Sequence, residues 1–201
     1  MEIKQQTLKK GISLVYFVTI AIIVFFVMSC GKKNDKKANS NEELADTEQS
    51  YKSCPDSDHP HIIDLGLPSG TKWACCNVEA SVPEEFGGSY AWGEASNESV
   101  DKWGASWQMP TLEQCQELID NCSSEWTTRN GVDGRVFTGP NGGTIFLPAA
   151  GVDNSGLDGY YWSSTPMSSD FAYWLGFSKE EVFCDMVSSN TCLSVRPVCE
   201  D

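Results

Sequence analysis

An apolar run near the start of the chain limits which residues can take part in a folded domain. It extends from Ile12 to Met28 and follows a short basic segment containing Lys4, Lys9 and Lys10. Its seventeen residues lie at the short end of the roughly 17–25 that cross a bilayer as a helix. Basic residues before an apolar run are typical of an export signal. We therefore expect the folded domain to begin only after this run.

The residues that close the run resemble the lipobox of bacterial lipoproteins. Val27, Met28 and Ser29 precede Cys30, with an apolar residue three positions before the cysteine and a small one directly before it. The resemblance implies cleavage before Cys30 and attachment of diacylglycerol, with fatty acids such as palmitate, to its thiol. We expect residues 1–29 to be a signal peptide. The protein would then be lipid-anchored in the cell envelope, at the outer membrane. The sequence does not indicate which leaflet carries the anchor.

Two other interpretations of this segment also remain open. Four lysines follow it closely, at Lys32, Lys33, Lys36 and Lys37. They would suit an uncleaved signal anchor with a basic cytoplasmic flank. Positive charge on both sides of the run leaves the orientation of such an anchor undecided. Plain secretion after cleavage is the remaining alternative.

Residues 30–53 read as the lipidated cysteine and a disordered polar tether. This segment has almost no apolar residues, so it buries too little surface to offset the loss of chain entropy. From Gly31 to Ser53 it holds five lysines and five acidic residues, which cancel. The negative excess of the mature chain therefore lies in the domain, residues 54–201.

The acidity of the chain argues against a nucleic-acid partner. The formal net charge is −14, and binding to phosphates requires a basic face. Solubility of an exposed protein accounts for such a charge. We expect no nucleic-acid binding.

The domain is rich in cysteine. No CxxC pair occurs in the chain, so nothing indicates a zinc ribbon. An even number of cysteines in an exported chain predicts disulfides. The candidates are Cys54, Cys75, Cys76, Cys115, Cys122, Cys184, Cys192 and Cys199. Counting alone does not give their connectivity.

The pattern of the domain predicts an α+β fold with short helices and antiparallel hairpins. One clear helix is expected from Leu112 to about Cys122, with Thr111 as N-cap and Gln114 completing a capping box. Strands are expected at 62–65 and 71–75, and a helical turn at 82–86. Tight turns are expected at 130–131 and 133–134, a hairpin from 135–138 to 144–147, and a C-terminal meander of 171–177, 182–187 and 193–198.

Six segments together resemble the Fibrobacter succinogenes major paralogous domain, a family of exported bacterial lipoproteins found in Bacteroidota-like bacteria. They are IIDLGLPSGTKWACCNV (62–78), YAWGE (90–94), WGASWQMPTLEQCQELIDNC (103–122), GPNGGTIFLPAAG (139–151), YWSST (161–165) and SVRPV (194–198). The resemblance covers residues 62–198. It implies a domain related to the C-type lectin-like fold, with its termini close together.

The resemblance also carries implications for the cysteines and for function. Likeness to the last cysteines of lectin domains implies that Cys184 pairs with Cys192 and that Cys199 reaches back to the first half of the domain. Three departures stand out: Gln108 replaces the usual Arg, Cys115 replaces the usual Trp, and the segment between Glu94 and Trp103 is short. Cys115 suggests a disulfide peculiar to this protein. The family supplies no catalytic residues, so none are carried over.

No catalytic or cofactor site is expected from the residues. His59 and His61 stand at the edge of the domain and are too few for a metal site. The domain interior has no histidine to serve as the base of a nucleophile. Adjacent Cys75 and Cys76 are more typical of two separate disulfide partners than of a catalytic pair. A calcium loop at 153–159 misses the EF-hand spacing at Leu157, so we expect neither metal nor cofactor.

Two polar loops and the rings beside them are the candidate ligand site. The loops are 151–159 and 165–170. The candidate residues are Asp153, Asn154, Asp158, Tyr160, Trp162 and Trp174. Polar groups beside planar rings suit sugar or peptide recognition. The competing interpretation is that the rings are core and the loops only connect strands. Strand alternation predicts Tyr173 and Trp174 on opposite faces.

Two classes of function follow from these patterns. The first is a non-enzymatic, membrane-displayed binding or adhesion domain for a glycan or protein ligand. The alternative is a structural or envelope-assembly lipoprotein without a small ligand. We expect the protein not to be an enzyme.

Overall fold

The computed structural model describes residues 61–95, 107–152 and 155–200. The apolar run, Cys30, the tether and Cys54 lie outside the described residues, as do residues 96–106, Asp153, Asn154 and Asp201. Within the described part the fold is mostly antiparallel β-sheet with two short helices. This composition is compatible with an α+β or a mainly β fold.

The first sheet brings the two ends of the described domain together. It is formed by β1 (Ile62–Asp64), β2 (Lys72–Ala74), β3 (Trp107–Gln108) and β10 (Val198–Cys199), in the order β1-β2-β10-β3. Trp73 of β2 lies opposite Ile63 on one side and Val198 on the other. The last strand is therefore held against the first hairpin by backbone hydrogen bonds.

Two three-stranded sheets make up most of the remaining structure. One is formed by β4 (Ser123–Arg129), β5 (Val132–Thr138) and β6 (Thr144–Pro148). The other is formed by β7 (Gly159–Pro166), β8 (Phe171–Phe177) and β9 (Val182–Ser188). Each follows chain order, so each is a simple meander.

The longer helix begins and ends almost where the sequence predicts. Helix α2 spans Leu112–Asn121, and Thr111 and Gln114 form the predicted capping box. Its Cys115 and Leu118 are fully buried. The other helix, α1, is a single turn at Trp92–Glu94.

The sheet β7-β8-β9 separates two apolar cores. Side chains alternate along a strand, so Trp162 and Trp174, which are direct cross-strand partners, lie on one face. Tyr161 and Leu175 form the neighbouring pair and lie on the other. The first pair belongs to the core that also contains Cys75 and Cys76. The second belongs to the core beneath α2.

Three local predictions were wrong. Residues 82–86 form a turn closed by Glu85 N–H donating to Val82 O at 3.2 Å, without a helix. Asp133 and Gly134 were predicted as a turn but lie inside β5. A Cβ at position 134 would come within 2.4 Å of Leu147 O, so this position requires glycine for close contact with the neighbouring strand. Residues 193–198 do not extend the meander; they leave β9 and end in β10 of the first sheet.

Candidate functional site

A shallow cavity of about 250 Å³ lies between two loops and the C-terminal segment. It borders the start of loop 151–159, one of the two candidate ligand loops predicted from the sequence. Its lining is formed by Phe86, Gly87, Ser89, Ala150, Gly151, Val152, Cys192 and Ser194. Drug-sized ligand pockets are usually about 300–1,000 Å³, so this cavity has room for one sugar ring or one side chain.

Hydrogen bonds fix the Phe86 side of the cavity. The backbone carbonyl of Phe86 accepts from Asn77 Nδ2 at 2.9 Å and from Ser194 Oγ at 3.1 Å. Asn77 is fully buried and Ser194 nearly so. The carbonyl therefore holds the loop to two buried polar side chains, which makes this wall of the cavity preformed.

The buried guanidinium of Arg196 extends the hydrogen-bond network of Asn77. Arg196 donates to Asn77 Oδ1 at 2.8 Å and, through its other nitrogens, to the carbonyls of Ala74, Cys75 and Phe146 at 2.8 to 3.1 Å. The planar fork of Arg reaches several acceptors at fixed angles. It therefore connects β2, β6 and the tail through one side chain.

Tyr161 closes the network beneath the cavity. Its hydroxyl donates to Pro148 O at 2.6 Å, and the hydroxyl oxygen of Tyr161 accepts from Asn77 Nδ2 at 3.4 Å. Burial raises the pKa of Tyr161 to about 12, although Arg196 and Asn77 act in the opposite direction. The side chain is therefore a neutral phenol and a hydrogen-bond donor at physiological pH.

The candidate ligand loop 151–159 is closed at its base. Tyr160 N–H donates to Ala150 O at 3.2 Å, so the two ends of the loop meet. Val152 is 40% exposed and Leu157 is 66% exposed, and Asp158 is half-buried. The candidate residues Asp153 and Asn154 lie outside the described residues.

The second predicted ligand loop does not share this site. Loop 151–159 ends at the first residue of β7, whereas residues 165–170 begin with its last two residues, so roughly 20 Å of strand separates them at about 3.3 Å per residue. Thr165 Oγ1 accepts from Leu112 N–H at 2.9 Å. Thr165, near the end of β7, therefore helps to fix the start of α2. The two loops lie at opposite ends of β7, and a role of loop 165–170 in binding stays a prediction.

The aromatic candidates belong mainly to the core. Trp162 is fully buried and donates from Nε1 to Tyr90 O at 2.8 Å, and Trp174 is 7% exposed. Tyr160, half-buried, packs edge-on against Trp174 at 4.7 Å between ring centroids. A ring whose faces are covered cannot stack on a sugar, so Trp162 and Trp174 are corrected to core residues. Tyr173 lies on the opposite face and is half-buried, as alternation predicts.

The cysteines are not paired as the lectin likeness implies. Cys184 has a free thiol, whereas Cys192 is disulfide-bonded, so its partner is not Cys184. Cys184 lies inside β9 opposite Leu175, on the face toward α2. Cys192 follows β9 and lines the cavity. The two side chains lie in different parts of the domain, and the prediction of a Cys184–Cys192 disulfide was wrong.

The C-terminal cysteine is held by strand pairing. Cys199 carries a thiol and lies in β10 opposite Lys72 and Trp107. The implied disulfide from Cys199 to the first half of the domain was therefore wrong, although strand pairing brings its backbone beside that half. Cys75, Cys76, Cys115 and Cys122 are also in the thiol form.

Three thiols around α2 are protected from ionisation. Burial is the main cause that raises the pKa of Cys122 and Cys184 to about 11 and that of Cys115 well above its usual range. Nearby acidic groups add to this: Glu117 for Cys122, Asp120 for Cys184, and Glu113 together with Cys184 for Cys115. Thiols with raised pKa values are poor nucleophiles at neutral pH, so these three pack as small apolar groups.

The structure brings together one thiol and one imidazole that the sequence interpretation kept apart. Cys75 Sγ lies 3.7 Å from His61 Nδ1 and 3.3 Å from Cys76 Sγ. The pairing of β1 with β2 places His61 beside Cys75, since Cys75 N–H donates to His61 O at 3.1 Å. The sequence signal that could have predicted this contact is the antiparallel hairpin β1–β2. Such a hairpin brings the residue after β2 back beside the residue before β1.

Among the described residues, no group of three or more His, Cys, Asp or Glu side chains is placed to hold a metal ion. In the same part of the chain, no helix is both long and apolar enough to cross a membrane. Comparisons of the whole chain with protein-family models, with curated proteins and with solved structures found no match.

Proposed function

We propose that this protein is an exported lipoprotein, attached to the outer membrane through Cys30, that displays a lectin-like domain for binding a glycan or protein ligand. The lipobox-like residues before Cys30 support the anchor. The six family-like segments support the lectin-like assignment. The meeting of β1 and β10 against β2 agrees with a domain whose ends lie close together.

The observation that carries the binding proposal is the cavity beside loop 151–159. Its Phe86 wall is held by Asn77 and Ser194, and the loop is closed by a backbone hydrogen bond. Preformed walls reduce the ordering cost of binding.

The lining selects a small polar ligand with an apolar side. Ser89 supplies an exposed hydroxyl group and Phe86 supplies a ring, while Gly87 and Gly151 add no side chain to the lining. These groups match a sugar ring or a polar side chain better than a charged ligand. We expect weak, calcium-independent binding in the high-micromolar range, about −5 to −6 kcal/mol.

A glycan and envelope-protein array, probed with the chain from residue 31 onward, tests the proposal. The decisive variant is Val152→Trp, because Val152 lines the cavity and is already 40% exposed. The bulky ring should block the cavity and reduce binding at least about tenfold, or about 1.4 kcal/mol. The melting temperature should stay within about 2 °C of the parent.

Leu157→Trp is the matched control. Leu157 is 66% exposed in the same loop but does not line the cavity, so this variant should bind like the parent. Equal binding by the parent and Val152→Trp would place the ligand elsewhere. Absence of any array ligand would favour the alternative, a structural or envelope-assembly lipoprotein.

A further inference from the structure

Two adjacent thiols and an imidazole meet just after β2. Successive side chains of an extended strand point to opposite faces, yet Cys75 Sγ and Cys76 Sγ lie only 3.3 Å apart. The chain bends at both residues, which turns the two thiols to the same side. His61 Nδ1 lies 3.7 Å from Cys75 Sγ. Both cysteines are buried, at 4% and 0% exposed.

Backbone hydrogen bonds hold this bend in place. Cys75 N–H donates to His61 O at 3.1 Å, and Cys75 O accepts from Arg196 at 2.8 Å. The neighbouring Asn77 is fixed by Arg196 as well. The two sulfur atoms are therefore kept in contact by the fold, which raises their effective concentration for reaction with one another.

We propose that Cys75 and Cys76 form a redox-active dithiol, which a low-molecular-weight disulfide oxidises to a vicinal disulfide, with His61 as the proton acceptor for Cys75. A small oxidant is required because both thiols are buried. The assignment is independent of the ligand cavity and of the lipid anchor.

The reaction balances in two exchanges. Cys75 loses its proton to His61 and attacks one sulfur of the oxidant, forming a mixed disulfide and releasing one thiolate, which takes the proton from His61. Cys76 then attacks Cys75 Sγ, forming the Cys75–Cys76 bond and releasing the second thiolate, which takes the Cys76 proton. Two protein thiols are oxidised by two electrons, and one disulfide is reduced to two thiols.

The chain offers a clean readout of this bond. Trypsin cuts after Lys72 and Lys102, and the peptide between them, residues 73–102, contains Cys75 and Cys76 and no other cysteine. The folded full chain is incubated with 2-hydroxyethyl disulfide, unfolded and quenched in one step with N-ethylmaleimide in guanidinium chloride, digested with trypsin and mapped by mass spectrometry. The expected peptide is two hydrogen atoms lighter and carries no maleimide. Dithiothreitol before the quench should restore two maleimide labels.

Two results would overturn the dithiol. The first is peptide 73–102 with two maleimide labels after exhaustive oxidation of the folded protein. The second is its recovery cross-linked to a different peptide. Oxidation in urea serves as the control for folding, because the unfolded chain lacks the bend. If the vicinal bond formed as fast in urea as in the folded protein, the observed geometry would not be its cause.

The role of His61 has its own test. His61→Asn should slow oxidation by about a hundredfold, the lower end of general-base effects, and leave the final oxidised fraction unchanged. Cys122→Ala, which removes a thiol beside α2, should oxidise at the parent rate. An unchanged oxidation rate in His61→Asn would contradict the role of His61 as proton acceptor. The analysis of peptide 73–102 would still test whether Cys75 and Cys76 form a disulfide.

Discussion

Arg196 joins the C-terminal segment to residues 74–77 and to β6 through one buried side chain. Its side chain is fully buried and its guanidinium donates to Asn77, Ala74, Cys75 and Phe146. A buried charge is tolerated only where hydrogen bonds replace its lost hydration. Three of the four acceptors lie within residues 74–77 and the fourth lies in β6, so loss of the guanidinium would leave buried acceptors unsatisfied in two separate segments.

Replacing Arg196 should therefore be severe. Arg196→Met leaves buried acceptors unsatisfied, and we expect the free energy of unfolding to fall by about 3–5 kcal/mol. Arg196→Lys should recover only part of this loss, because an ammonium cannot reproduce the planar fork. Urea denaturation followed by tryptophan fluorescence measures both. Arg129→Met is the matched control: Arg129 lies over the Phe146 ring at 5.1 Å, and such a contact contributes about 0.5–1 kcal/mol. A loss at Arg196 no larger than that of the control would contradict the assigned role.

The buried thiols predict how stability changes with pH. The pKa values of Cys122 and Cys184 rise from 9.0 to about 11 on folding. Between these values the unfolded chain loses protons that the folded chain keeps, so the free energy of unfolding falls as pH rises. Below pH 9 both states hold the protons and the contribution is constant. Melting temperatures from pH 8 to 11 should fall less steeply for Cys122→Ala/Cys184→Ala than for the parent.

Ser123→Ala is the control for that comparison, since Ser123 is exposed beside Cys122 and does not ionise. Its melting temperatures should follow the parent curve. Identical slopes for the double cysteine variant and the parent would show that the thiols are not protected.

At the scale of elements, α2 is the best example of structure encoded locally. Its apolar face recurs at helical spacing and its capping box is complete, so the sequence alone predicts its type and its first residue. Gln114 also donates to Thr71 and Glu200, which join the helix to both ends of the domain. These long-range bonds depend on the fold and have no local signature.

The cap supplies a test at this scale. Thr111→Ala removes the hydroxyl that accepts from Gln114 N–H at 3.2 Å, and loss of an N-cap costs about 0.5–2 kcal/mol. Thr111→Ser keeps the hydroxyl and should cost much less. Chemical denaturation of the two variants compares them directly, and equal losses would show that the methyl group of Thr111, and not its hydroxyl, matters.

Strand predictions succeeded where turn chemistry was unambiguous. Asn130 and Gly131 have φ values of 48° and 81°, and they connect β4 to β5 as the dipeptide predicts. Asp133-Gly134 has similar composition but lies within β5, because tertiary contact with Leu147 and Phe146 requires a residue without a side chain there. The same dependence on tertiary contact explains the burial of Trp162 and Trp174. Their aromatic character alone suggested a role in binding. Whether a ring is buried depends on tertiary packing, which the local sequence does not show.

At the scale of the whole molecule, the described domain is a structure whose ends meet on one sheet and whose candidate cavity lies beside loop 151–159. β1 and β10 both pair with β2. A tether entering at β1 would therefore join the domain beside its C-terminal strand. Such an arrangement suits display from a single anchor, because β1 and β10 belong to the same sheet, with only β2 between them.

The anchor itself is open to direct measurement. Signal peptidase cleavage and acylation at Cys30 would produce a native chain that begins with a lipidated cysteine, and mass spectrometry of the N-terminal peptide should show the added diacylglycerol mass. Cys30→Ala should leave the precursor unprocessed, since the thiol is the attachment point. Ser29→Ala keeps a small residue before the cysteine and should be processed like the parent. A parent chain that still begins at Met1 without lipid would favour the uncleaved anchor, because Ile12 to Met28 would then remain in the membrane. A cleaved chain without lipid would favour plain secretion.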